Sequence, residues 1–379
     1  MRDYSIPFNR SYLAGDEFRY MREAVERGRT SGDGEFTRRC NEMLEREIVG
    51  GKALLTTSCT HALEMAAMLL DLKPGDEVLV PSFTFVSTVN AFVLRGAKPV
   101  FVDIRPDTLN LDEGLLEAAV GPAAKAIFAV NYAGVGCEYD RLRETADRRS
   151  LKIVEDNAHG LFGKYRGKPL GGFGDIAALS FHETKNFSCG EGGAILLNDP
   201  VHVERAEILR EKGTDRSRFF RGQVDKYSWV DIGSSYLPSE ILAAFLCAQL
   251  ERREEIQDKR RSISEFYRKS LGEWAGAHGV GLPQVPGHCE SSHHMFYLLF
   301  PEAAQRDGLM RHLQARGIMA LFHYVPLHLS KMGRRFGGRE GQCPVTERTA
   351  ARLLRLPFFT GLSEAELSRV VDAVLEFKP

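Results

Sequence analysis

A chain of 379 residues with 43% hydrophobic side chains can bury a sizeable core and is long enough for two domains of ordinary size. Its 50 basic residues balance 51 acidic ones, so no global field recruits nucleic acid or an anionic membrane, and an anionic ligand must find local positive charge. No uncharged apolar run reaches membrane-spanning length, the opening MRDYSIPFNRSYLAGDEF has no apolar run flanked by bases, and seven cysteines without a CxxC pair fit reduced thiols; a cytoplasmic protein is expected.

Along the chain, a helical stretch near Asp16 to Glu26 precedes SCTHALEMAAMLLDL, which reads as a helix, and PGDEVLVPS, which reads as a turn and a strand. The alternation continues: FVSTVNAFVLRG is helical, KPVFVDI and AKAIFAVNYAG are strands, YDRLRETADRRS is a helix, and LKIVEDNAHG, DIAALSFHE and GGAILLN are strands. Strands rich in Val, Ile and Ala that alternate with helices predict a largely parallel sheet covered on both faces, which binds ligands at the carboxyl ends of its strands. From about Ser239 to Leu271 a charged amphipathic stretch reads as one long helix leaving this domain. Beyond it, HMFYLLF and MALFHY read as strands, DGLMRHLQARG as a helix, and ERTAARLL and SEAELSRVVDAVLEF as closing helices. The expected division is a large α/β domain over 1–250, N-terminal segment included, and a smaller C-terminal α+β domain over 251–379.

The chemistry-bearing residues fall where this topology places sites. Asp156 follows a buried strand with His159 three residues on, Thr57 to Thr60 open a helix whose free N–H groups can hold a phosphate, Phe85 follows another strand, and Lys185 follows a third. Singly, each has an ordinary explanation: a turn aspartate, an N-cap, a core aromatic, a solvated loop lysine. Together they are what pyridoxal phosphate requires. Its phosphate docks on N–H groups, its ring stacks on an aromatic, a carboxylate keeps its nitrogen protonated, and a lysine with a depressed pKa bonds its aldehyde. Cys289 to His294, in CESSHH, lacks a second ligand pair at zinc spacing, and no metal is expected.

The ordered motifs TSCTHAL, PSFTFVSTVNA, PVFVDI, VEDNAHG, SFHETKN, GEGGAI and IGSSYLPSEILAAF resemble those of the DegT/StrS sugar aminotransferases over nearly the whole chain. That resemblance implies the aspartate aminotransferase fold (fold type I), pyridoxal 5'-phosphate as cofactor with pyridoxamine phosphate between two half-reactions, and a homodimer. SFHETKN and the stretch REKGTDRSRFFRGQVDKYSW are most similar to members that aminate C4 of a dTDP-linked 4-keto-6-deoxyglucose to give dTDP-4-amino-4,6-dideoxygalactose. Glutamate is the implied donor. Amination at C3, or with the opposite configuration at C4, fits the same motifs, and a non-catalytic regulator on this fold is the reading from another class. A sugar dehydratase of this family would carry histidine in place of Lys185.

By the same resemblance, Lys185 carries the cofactor, Asp156 pairs with its ring nitrogen, and Phe85 stacks on the ring. Cys59, Thr60 and Ser180 hold the phosphate, and His182 belongs to the family's SFH signature. His159 stands where many members have a glutamine near the ring hydroxyl. Ser235 stands where relatives carry an asparagine that reaches the partner subunit's phosphate, which implies sites shared across a dimer. Arg210, Lys212, Arg216, Arg218, Arg221 and Lys226, against Glu211, Asp215 and Asp225, form a local basic surplus. Arginine forks there, Arg210 and Arg221 with Lys212 beside them, match a nucleotide diphosphate as well as they match solvent. His323, Tyr324 and His328, in LFHYVPLH, lie where the family closes its sugar pocket.

Overall fold

The computed structural model describes residues 4–48 and 51–378. In chain order its strands are β1 (Lys52–Thr56), β2 (Glu77–Pro81), β3 (Lys98–Val102), β4 (Ala124–Val130), β5 (Lys152–Asp156), the short pair β6 (Lys164–Tyr165) and β7 (Lys168–Pro169), β8 (Ile176–Ser180), β9 (Gly193–Leu197), β10 (Cys289–Glu290), β11 (Tyr297–Leu299) and β12 (Leu353–Arg355). Seven of them form the main sheet in the order β1-β9-β8-β5-β4-β2-β3. The β3–β2, β2–β4, β4–β5 and β5–β8 pairs are parallel, whereas β9 runs antiparallel to both β8 and β1. Every strand of this sheet but β9 therefore points the same way, and the carboxyl ends of β1, β2, β5 and β8 line one edge.

Helices cover both faces, as the apolar strands demand. Cys59–Leu69 and Val86–Val93 pack on one face with Val78, Val80 and Phe128, while Glu35–Glu47 and Glu240–Glu251 close over Leu55, Leu179 and Leu196 on the other. A second apolar core lies between the helices Arg253–Ala277, Ala303–Ala315 and Glu364–Leu375 and the antiparallel β11–β12 pair, and it takes in Ile6 from the N-terminal segment. Among the described residues no helix is long and apolar enough to cross a membrane.

Three elements differ from expectation, one of them ERTAARLL, whose helix stops at Arg352 so that Leu353 and Leu354 join β12. The stretch read as one long helix is two, Glu240–Glu251 and Arg253–Ala277, joined at Arg252 with φ −100° and ψ 23°. The first is apolar nearly all round and lies inside the large core, while the second is amphipathic and belongs to the other one, so the axis breaks where burial changes. MALFHY forms no strand. Leu321 makes a single bridge to Arg355, after which His323 turns inward and is buried.

Candidate active site

At the shared edge of the strands lies a cavity of about 640 Å³. Asp156, the last residue of β5, faces it, whereas its neighbour Glu155 points to the opposite side, as alternation along a strand requires. Glu155 spends its oxygens on the N–H groups of Gly171, Phe173 and Gly174 at 2.6–2.8 Å and is structural. Asp156 is held by Thr88 Oγ1, which donates at 2.6 Å, and by the Ala158 N–H at 3.2 Å. Burial raises its pKa against these hydrogen bonds and the charge of Lys185. The carboxylate is thus short of cationic partners and suited to a protonated ring nitrogen.

Lys185 reaches the same cavity from the loop between β8 and β9. A turn in which its N–H donates to the His182 carbonyl at 2.9 Å, and a Glu183–Gly190 backbone bond at 2.9 Å, fold this loop back onto the sheet edge. Just past that loop, Gly193 lets β9 pass close under the helix start, where a Cβ would lie 2.3 Å from the Ser58 carbonyl carbon and 2.4 Å from the Cys59 nitrogen. Desolvation lowers the pKa of Lys185, Arg355 adds to the effect, and Cys59 and Asp156 oppose it. Its amine therefore loses its proton more readily than a solvated lysine would.

The helix Cys59–Leu69 opens onto the cavity. Ser58 caps it by accepting from the His61 N–H at 3.1 Å, leaving the first-turn N–H groups of Cys59 and Thr60 aimed outward. Thr60 donates to Ser87 Oγ at 2.8 Å, and Ser180 and Thr84 add hydroxyls to the lining. This cup of amides and hydroxyls fits a phosphate dianion, without a lysine or arginine of its own. Phe85, at the mouth, is 57% exposed and so does not serve core packing. The imidazole of His159 lines the cavity with its Nδ1 buried and unpartnered, the mark of a missing polar ligand. Phosphate cup, exposed aromatic, undercommitted carboxylate, orphaned imidazole and activated amine are together the donor set that pyridoxal phosphate needs.

The remaining residues divide. His182 sits half-buried on the wall beside Lys185, with Nδ1 2.9 Å from Thr184 Oγ1. His323 is buried, bonded through Nδ1 to the Tyr132 hydroxyl at 2.8 Å and stacked on Tyr324, and both line the cavity. His328 does not. It is fully buried away from the cavity, with Nδ1 2.5 Å from Ser82 Oγ and Nε2 3.0 Å from Glu347 Oε1, which ties the strand-end loop after β2 to the helix Pro344–Arg352. Arg210, Lys212 and Arg221 also lie outside the cavity of their own chain. Arg210 is buried with Nη2 reaching both oxygens of Asp33 at 2.7 and 2.8 Å and Nη1 donating to the Leu55 carbonyl at 3.1 Å, while Lys212 pairs with Glu211 at 3.2 Å and Arg221 with Glu207 at 2.8 Å. Ser235 is exposed and likewise off this cavity.

Two lining residues escaped sequence reasoning. Arg355, at the end of β12, brings a cation whose Nε is buried without a partner; its Nη2 donates to the Phe322 carbonyl at 3.0 Å and its guanidinium lies 4.6 Å from the centre of the Phe8 ring. The signal was a lone arginine in the apolar run LLRLPFF. His294 was hidden in CESSHH, yet it stacks on His159 at 4.1 Å, while Cys289 points its sulfur toward Gly136.

Fold and site together define a pyridoxal-phosphate enzyme of fold type I. The profile of the DegT/DnrJ/EryC1/StrS aminotransferase family matches residues 12–375, and the chain belongs to that family, whose cofactor is pyridoxal 5'-phosphate. An uncharacterized protein of Methanocaldococcus jannaschii, MJ1066, is 32% identical over 341 residues, 88% of each chain. Among solved structures, the aminotransferase TlmJ from Streptoalloteichus hindustanus is 30% identical over 97% of each chain, with a TM-score of 0.89. Spr1654 from Streptococcus pneumoniae, solved in its pyridoxamine-phosphate form, is 27% identical over 97% of this chain and 98% of its own, with a TM-score of 0.90.

Proposed function

We propose that this enzyme transfers an amino group from glutamate to C4 of a nucleotide-linked 4-keto-6-deoxy sugar, converting dTDP-4-keto-6-deoxyglucose to dTDP-4-amino-4,6-dideoxygalactose. The observation that carries the aminotransfer is the meeting of Lys185 and Asp156 in one cavity that also contains an amide-and-hydroxyl cup. Bound there, the cofactor supplies an electron sink and stores the amino group between half-reactions. Asp156, oriented by Thr88, holds a proton on the ring nitrogen. Phe85 covers one ring face, and Cys59, Thr60 and Ser180 receive the phosphate. Lys185, freed of its covalent link, carries a proton off the donor carbon in one half-reaction and delivers one to the sugar carbon in the other; its lowered pKa suits both directions. His182 borders its path.

A carboxylate-bearing donor is supported by Arg355, whose unpaired Nε offers a cation in a cavity that otherwise holds few. A sugar acceptor is supported by cavity volume beyond the need of an amino acid, by the polar tips of His323 and Tyr324, and by Spr1654, which is described as a candidate sugar aminotransferase. A homodimer is supported by exposed apolar side chains close in sequence to Ser235: Phe220 is 68% and Trp229 79% exposed, with Tyr227, Val230 and Ile232 alongside. A second copy covering this patch would bring Ser235, Lys212 and Arg221 toward the neighbour's site. The test is to incubate the purified enzyme and glutamate with dTDP- and UDP-linked 4-keto sugars and read the product by NMR. An axial amine at C4 is expected; an amine at C3, an equatorial amine at C4, or no product with any keto sugar overturns the assignment.

A further inference from the structure

We propose that His294 is a positioning residue that clamps the His159 ring in the cofactor cavity, resting on the reading above that the cofactor binds beside Asp156 and His159. The two imidazoles stack with centroids 4.1 Å apart and planes within 14°. Asn186, which directly follows Lys185, sets the tautomer of His294. Its Nδ2 donates to the Ser292 carbonyl at 2.7 Å, a contact only the amide nitrogen can make, so its Oδ1 faces His294 and accepts from Nδ1 at 2.9 Å. Nδ1 of His294 therefore carries a proton, and burial, which holds its pKa well below the usual imidazole value, leaves Nε2 without one. It is an uncharged ring.

The same loop grips His159 a second time, because Ser292 Oγ donates to the His159 carbonyl at 2.5 Å. The loop is itself fixed from two sides. The Ser292 N–H donates to the Gly134 carbonyl at 3.0 Å, and the fully buried Arg260 donates from Nε to the His293 carbonyl at 3.0 Å and from Nη2 to the His294 carbonyl at 2.6 Å. A left-handed turn at His293, φ 52°, lets consecutive histidines diverge so that only His294 enters the cavity. The lysine loop and the helix Arg253–Ala277 thus meet at the face of His159.

This clamp has an electrostatic purpose. Around the stacked pair stand Lys185 from the strand-end loop, Arg260 on the helix Arg253–Ala277, Arg355 at the end of β12, His323, and Tyr132 after β4, and Asp156 lines the same cavity. Burial and the neighbouring cations keep His159 and His294 neutral. A clamped, neutral His159 can offer its unpaired Nδ1 to the cofactor's ring hydroxyl without adding positive charge next to it. Without the His294 ring, water reaches His159, which can then protonate beside a cofactor whose own protonated form is cationic, and like charges lower each other's proton affinity.

The test uses holoenzyme and follows its visible absorption band as a function of pH. His294→Ala should lower the midpoint of the band's pH titration by about 0.5 unit or more. His294→Phe, which restores a stacked uncharged ring, should return it to within about 0.2 unit of wild type. His294→Ser, which likewise opens the face of His159 to water, should lower the midpoint as the alanine variant does; it serves as the deciding variant if His294→Ala does not take up cofactor. An unmoved midpoint in the deciding variant, or a phenylalanine variant shifted as far as alanine, overturns the clamp even if thermal stability falls. A wild-type enzyme with no visible band would instead overturn the cofactor placement.

Discussion

Arg355→Met removes the cavity's spare cation while preserving the length of the side chain. One arm of the guanidinium already serves the Phe322 carbonyl and its face lies on Phe8, which leaves Nε and the second arm for a ligand. A hydrogen bond to a charged group contributes about 1.5–3 kcal/mol, so two to one carboxylate would be worth about 3–6 kcal/mol if fully desolvated. The cavity is open at its mouth, and water in the variant solvates part of the freed carboxylate, so a net loss of about 2–3 kcal/mol is expected. That corresponds to a fall of about 30- to 150-fold in kcat/KM for glutamate. The assay is the first half-reaction alone, monitored by decay of the visible band at several glutamate concentrations, with benzylamine as a donor lacking a carboxylate. The benzylamine rate should change little. Glutamate kcat/KM within about threefold of wild type, or an equal loss with both donors, would refute a carboxylate subsite at Arg355.

Three further outcomes follow from the geometry. Asp156→Asn should keep its colour but lose about 10²–10³-fold in the half-reaction rate with glutamate, because an amide cannot hold the ring nitrogen protonated; near-wild-type rates would mean that Asp156 is the wrong residue. His159, His294 and His323 all have pKa values held well below 6.5 by burial, so the unfolded chain takes up protons first as pH falls, and the stability they supply is present above about pH 6.5 and lost below it. Urea unfolding of the apoprotein should show this decline, up to about 1.4 kcal/mol per pH unit for each histidine, and His294→Phe should remove one such contribution; a slope unchanged by that variant would contradict it. Trp229→Glu combined with Phe220→Glu should shift the enzyme to monomers in sedimentation and weaken cofactor binding by about tenfold or more, whereas an undisturbed dimer would place the interface elsewhere.

The α/β alternation was legible because buried strands and amphipathic helices carry different periods, and Asp156, Phe85 and Lys185 could be placed because each lies at or within a few residues of the carboxyl end of such a strand. What stayed hidden depends on distance in space rather than order in the chain. Arg210 looks like a phosphate ligand in a basic segment, yet its two terminal nitrogens are taken by Asp33, 177 positions away, and the Leu55 carbonyl. His328 shares a motif with His323, but a single turn, Leu327–Leu329, sends it to Ser82 and Glu347 instead of the cavity. His294 and Arg355 reach one cavity from separate loop and strand segments, and although a lone arginine stands out in LLRLPFF, nothing local there or in CESSHH shows that the two meet. The break at Arg252 was invisible for a related reason: helical periodicity continues through it, and only the change of burial partner marks it.

The central claim, that Lys185 is the residue that binds and services the cofactor, is tested most directly by borohydride reduction of the holoenzyme followed by peptide mapping. The account predicts one cofactor-derived label per chain, on the peptide containing Lys185, and none in Lys185→Ala, which should still bind cofactor through the helix-start cup and Asp156 but turn over neither substrate. Label on another lysine, or normal turnover by Lys185→Ala, would contradict it.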